Sequence, residues 1–176
     1  EYKNPRYNLN YAIADADAFS NAMTSSQSAL FDEVRHISIR NADFTKTKLQ
    51  GVFSEIMDSA QEQDLLIFYY AGHGVMSKGI NAPAEFFLVP HDITQIYGRD
   101  ELLFDQAVSA SDLKEISKNI NAQKQLFILD ACQSAAALDA IASRGILEEK
   151  AIAQLARSTG TFWITATGSE QFATEF

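Results

Sequence analysis

The chain has 176 residues, 47% hydrophobic and 21% charged, with a formal net charge of -9 at pH 7; that is apolar material for one sizeable core, so a single domain over residues 1–176 is expected. The negative balance excludes nucleic acid as a main partner, because phosphate binding needs clustered Lys and Arg. No run of about 18 apolar residues is present to span a membrane and no charged-then-apolar leader opens the sequence, while the one cysteine, Cys132, cannot form an internal disulfide, so a cytoplasmic protein is expected.

No repeat, low-complexity tract or linker interrupts the chain, and short apolar runs alternate with segments of helical period, the pattern of an α/β sheet flanked by helices. The first helix is expected from about Tyr11 to Met23, with Ala12, Ala16, Phe19 and Met23 on one face and Asp15 and Asp17 near its start. Val34 to Ile39 reads as a weakly alternating strand. A stronger signal follows from about Thr45 to Gln61, where Leu49, Val52, Phe53, Ile56, Met57 and Ala60 keep the helical spacing of a buried face.

Leu65 to Ala71 is a continuous apolar run ended by Gly72-His73-Gly74, which predicts a central parallel strand covered on both faces. A shorter strand is expected at Phe86 to Val89, stopped by Pro90, and His91 to Gln106 reads as a long polar excursion. Ser109, three residues before Asp112, can cap a helix that buries Leu113, Ile116 and Ile120. Another core strand is expected at Gln125 to Leu129, leading into Asp130-Ala131-Cys132-Gln133-Ser134, then a helix around Leu147 to Ala156 and a last strand at Thr161 to Ala166.

The carboxyl ends of parallel strands form the crevice of an open α/β sheet. His73 follows one apolar strand and Cys132 follows another, so the two can face each other as base and nucleophile. Singly, each has a plain structural explanation, since a free cysteine is usually a small buried hydrophobe. Core packing does not require the pair. The glycines beside His73 let backbone approach a ligand closely, so the amides of Gly74 and Cys132 are candidates to hold an oxyanion. The adjacent His91-Asp92 lacks the ligand cluster of a metal site, no metal or cofactor is required, and Tyr69, Tyr70 and Phe68 read as strand-face residues.

Tyr70-Ala71-Gly72-His73-Gly74 and Asp130-Ala131-Cys132-Gln133-Ser134 resemble the two signatures of caspase-like cysteine peptidases. Asp130 stands where caspases proper have Gln; with Ser134 after the cysteine it is similar to metacaspases and their prokaryotic relatives. Leu9-Asn10-Tyr11-Ala12-Ile13-Ala14-Asp15-Ala16 resembles that family's Leu-x-Gly-Ala-x-Asn-Asp-Ala segment, with Tyr11 and Ala14 departing from it, as Gln133 and Ala135 depart from its usual His and Gly.

The resemblance implies a three-layer caspase-like sandwich with a mostly parallel central sheet. It also implies terminal strands beyond both ends of this sequence, supplied by another segment or subunit. Its activity would be that of a regulated cysteine endopeptidase acting on protein or peptide substrates. By the same likeness, Asp130 and Asp15 line a pocket for Arg, then Lys, and Thr167 and Ser169 are placed to meet substrate backbone. Self-cleavage is expected after Arg144, Lys150 or Arg157. Calcium and an activating protein are left open. Two other readings are a catalytically silent scaffold of the same fold that binds partner proteins, against which the intact His73 and Cys132 stand, and a nucleotide-binding domain, for which Gly72-x-Gly74 is a weak match.

Overall fold

The computed structural model describes residues 1–25, 30–77, 84–131 and 161–165. Two seven-residue strands dominate it, one apolar throughout and one with an apolar middle. β1 (Leu65–Ala71) runs parallel to a later strand (Lys124–Asp130, β5 in chain order), registered from Leu65 opposite Lys124 to Ala71 opposite Asp130. The last strand, β6 (Thr161–Thr165), lies parallel on the far side of β5, with Phe127 opposite Trp163. Between β1 and β5 the chain builds a small antiparallel sheet of β2 (Gly74–Met76), β3 (Phe86–Leu88) and β4 (Val108–Ser109). The helices are α1 (Ala12–Ser25), α2 (Lys46–Ser59), α3 (Asp100–Gln106) and α4 (Ala110–Asn119).

Side chains alternate across a strand, so parallel partners in register share a face. Phe68, Phe127 and Trp163 form such a row, with ring centroids 5.6 Å and 4.4 Å apart, and Phe53 of α2 packs on Phe68 at 5.5 Å. Leu49 of α2 and Leu113 of α4 complete this core. Thr45 caps α2 by accepting the Lys48 N–H, and Ser109 and Asp112 form the reciprocal capping box at the start of α4. Gln125 lies in the same core without cost, because Ser117 donates to its carbonyl and its amide donates to the carbonyls of Ser117 and Ala122.

The opposite face carries Ile67, Tyr69 and Ala71 with Leu126, Ile128 and Asp130, all only half-buried. Among the described residues α1 covers it, through Phe19 stacked on Tyr69. Of the strand expected to be covered on both faces, the described residues show one paired edge, α1 over one face and α2 over the other, with Tyr70 its one buried side chain and Leu65 37% exposed. Met23, expected to share a face with Ala12, Ala16 and Phe19, is 40% exposed near the end of α1.

Val34 to Ile39 is not a strand. A strand needs a neighbour to take its backbone hydrogen bonds. This segment has none among the described residues and is held through side chains: Arg35 to Glu55, His36 to Ser20, and the flanking Arg40 paired with Asp17. The region expected as a polar excursion contains α3, and Ile93, Ile96 and Leu103 bury with Val75, Phe87 and Val89 in a second core. Its buried positions are too widely spaced to show one period. The helix expected at Leu147 to Ala156 lies outside the described residues.

Candidate active site

The register that sets Ala71 level with Asp130 brings the carboxyl ends of β1 and β5 out together, and the Gly72 N–H continues the ladder by donating to the Asp130 carbonyl at 3.2 Å. His73 is the next residue. Two tyrosines hold its backbone: the Tyr70 hydroxyl donates to the His73 carbonyl at 2.8 Å, and the His73 N–H donates to the Tyr2 hydroxyl at 2.9 Å. The Val89 N–H also donates to that carbonyl, at 3.0 Å. A Cβ on Gly72 would sit 2.5 Å from the Tyr70 hydroxyl oxygen and 3.0 Å from that of Tyr2, so only glycine fits between them. Gly72→Ala is expected to cost about 1–3 kcal/mol of stability, the usual penalty of forcing extra atoms into a packed site, and to shift His73, slowing any turnover that uses it. Denaturant unfolding and turnover of the same preparation check both.

The imidazole is oriented by the main chain. His73 Nε2 lies 2.8 Å from the Tyr7 carbonyl oxygen. A carbonyl only accepts, so Nε2 carries the hydrogen and Nδ1 is the nitrogen that can take a proton. Tyr7 ends a short 3₁₀ turn, Pro5–Tyr7, where carbonyls are left over by the turn's own hydrogen bonds. Asn4 caps that turn and ties it to the Thr94 carbonyl, while the rings of Tyr2 and Tyr7 rest on the second core and flank His73 at centroid distances of 5.0 Å and 6.2 Å. None of this was legible in the sequence. A carbonyl is common to every residue, and Tyr2 and Tyr7 sit far from the histidine along the chain.

Gly74 opens β2 and is buried. The hydrogen bond from Val89 to His73 brackets the Gly74–Leu88 pair and marks it as a non-hydrogen-bonded one, so the Gly74 amide points away from β3. Asp130 closes β5 on the half-covered face, where the Tyr69 hydroxyl donates to its Oδ2 at 3.2 Å. Burial and the carboxylates of Asp130 and Asp15 push the Tyr69 phenol well above the usual tyrosine range. Asp15, in the first turn of α1, is therefore within electrostatic reach of this group.

The sign of that shift sets a pH dependence. The fold favours protonated Tyr69, so this contribution to stability is present below the ordinary phenol range and is lost as pH rises through the raised value. Alkaline titration of tyrosinate absorbance should show a phenol ionising above the ordinary range, and Tyr69→Phe should remove it.

Ala131 is buried and is the last described residue of this segment. Cys132, Arg144, Lys150, Arg157, Thr167 and Ser169 lie outside the described residues. Of the expected site residues, the structure thus brings together His73, Gly74, Asp130 and Asp15 at one end of the sheet. His91 turns elsewhere, with Nδ1 2.8 Å from the Glu1 carbonyl oxygen. Among the described residues no three His, Cys, Asp or Glu side chains gather to hold a metal ion, and no helix is long and apolar enough to cross a membrane.

The family model of the caspase domain matches residues 1–175. The chain belongs to the caspase domain family. That family is one of cysteine peptidases, and the parallel sheet β1-β5-β6 with its flanking helices is consistent with its fold. No curated protein matches the sequence. Among solved structures, protein GSU0716 from Geobacter sulfurreducens is similar in fold, with a TM-score of 0.62 and 12% identity over 98% of this chain and 72% of that one. Within this caspase domain, the turn after β1 that carries His73 and the exit of β5 toward Cys132 are adjacent by register alone.

Proposed function

We propose that this caspase domain is a cysteine endopeptidase of the metacaspase kind that cuts after Arg and, less well, after Lys. One observation carries the reading: β1 and β5 end level, so His73, oriented by the Tyr7 carbonyl, stands beside the strand whose chain runs through Asp130 and Ala131 into Cys132. Cys132 gives its thiol proton to His73 Nδ1 while its sulfur bonds to the scissile carbonyl carbon. The amides of Gly74 and Cys132 hold the oxyanion, and the orientation of Gly74 away from β3 supports its part. Collapse breaks the C–N bond, and His73 passes the proton to the leaving amine. Water, deprotonated by His73, then cleaves the thioester and restores the thiol.

Asp130 and Asp15 supply the acidic end of the pocket for the side chain before the cut bond. Two carboxylates near one phenol leave negative charge that a cation relieves, and a planar guanidinium meets carboxylates through two parallel hydrogen bonds. The net charge of -9 also favours a basic substrate. Thr167 and Ser169 would pair with substrate backbone, and Arg144, Lys150 and Arg157 are the places for self-cleavage. A cytoplasmic setting belongs to the same reading, which leaves calcium and an activating protein open.

A panel of otherwise identical fluorogenic peptides ending in Arg, Lys or Asp tests it, with a peptide-based thiol-directed probe as a second readout. Release from Arg first and Lys second, with labelling at Cys132, is expected. Cleavage after Asp, or no labelling, overturns it.

A further inference from the structure

Tyr69 lies two residues before Ala71 on β1, and Asp130 is the register partner of Ala71 on β5. All three side chains share the half-covered face of the sheet, and Ala71, level with Asp130, carries only a methyl that cannot hydrogen-bond to it. Tyr69 reaches diagonally across that gap and donates to Asp130 Oδ2 at 3.2 Å. Its ring cannot easily swing away, because Phe19 of α1 stacks on it with centroids 4.5 Å apart and planes 11° from parallel.

We infer that Tyr69 is a positioning residue for substrate choice, fixing the Asp130 carboxylate so that a guanidinium is received better than an ammonium; this rests on the pocket proposed above. A carboxylate has about four acceptor sites, and the phenol occupies one on Oδ2, leaving the others for substrate. An Arg fork forms two hydrogen bonds only when the carboxylate plane is held in one orientation. A Lys ammonium is a compact charge on a flexible stem and follows a carboxylate that rotates. Tyr69 serves this purpose because it stays protonated: its ionisation is disfavoured by burial and by both neighbouring aspartates, so it remains a donor across the working pH range.

Tyr69→Phe removes the hydroxyl and keeps the ring that stacks on Phe19. The ratio of kcat/KM for Arg over Lys peptides should narrow by roughly tenfold, the scale of one hydrogen bond to a charged group. The loss should fall on KM for the Arg peptide, while kcat and Cys132 alkylation by iodoacetamide stay near wild type. A merely structural role would lower both substrates alike. As a second measurement, Tyr69→Phe made in an Asp130→Asn background should leave the ratio unchanged, because Tyr69 acts through that carboxylate. An unchanged Arg-to-Lys ratio in Tyr69→Phe, with the wild type still preferring basic residues, overturns the inference alone. Wild-type protein that does not prefer basic residues overturns the pocket and this inference together.

Discussion

Replacing Cys132 by Ala should abolish peptide hydrolysis, with kcat falling by on the order of 10⁶, the scale of removing the nucleophile from a nucleophile–base pair. The variant removes one sulfur atom. The elements that position His73 lie elsewhere: the Tyr2 and Tyr70 hydroxyls hold its backbone and the Tyr7 carbonyl holds its ring. The unfolding midpoint should therefore stay close to wild type while turnover disappears. Progress curves at high enzyme concentration, read beside a denaturant titration, separate the two. Substantial residual turnover would assign the nucleophile elsewhere and remove the acyl-enzyme mechanism.

The second large effect is expected at Asp130. Asp130→Ala should raise the barrier to cleavage after Arg by roughly 2–5 kcal/mol, the range for stripping one partner from a buried charge pair. Its plain structural role is small, since its backbone carbonyl already receives the Gly72 N–H and is untouched by the substitution. The side chain's described contact is with Tyr69, which would be left as a half-buried hydroxyl near water rather than a buried orphan. Cys132 should remain reactive to a small alkylating agent, which distinguishes a lost pocket from a lost nucleophile. Full retention of Arg selectivity would remove Asp130 from substrate recognition and with it the metacaspase-like specificity.

What the sequence by itself determined is local. Leu65 to Ala71 and Gln125 to Leu129 are short, mainly apolar runs of strand length, and β1 and β5 formed there. The helical spacing of Leu49, Val52 and Phe53 and the Ser109–Asp112 box set α2 and α4 for the same reason, because period and capping act within a few residues of themselves. His73 and Cys132 stood out because each follows such a run.

The tertiary structure decided what depends on partners distant in the chain. Val34 to Ile39 has the alternation of a strand but finds no strand neighbour to bond to among the described residues, and forms none there. Ile93, Ile96 and Leu103 form a core only once Val75, Phe87 and Val89 meet them. The tautomer of His73 is set by a carbonyl, a group every residue carries, and it matters only where the Pro5–Tyr7 turn is docked beside the histidine. Tyr69 looked like one more aromatic strand residue until the register of β1 on β5 laid its hydroxyl against Asp130. Register is a property of two strands at once, and no single segment of sequence contains it.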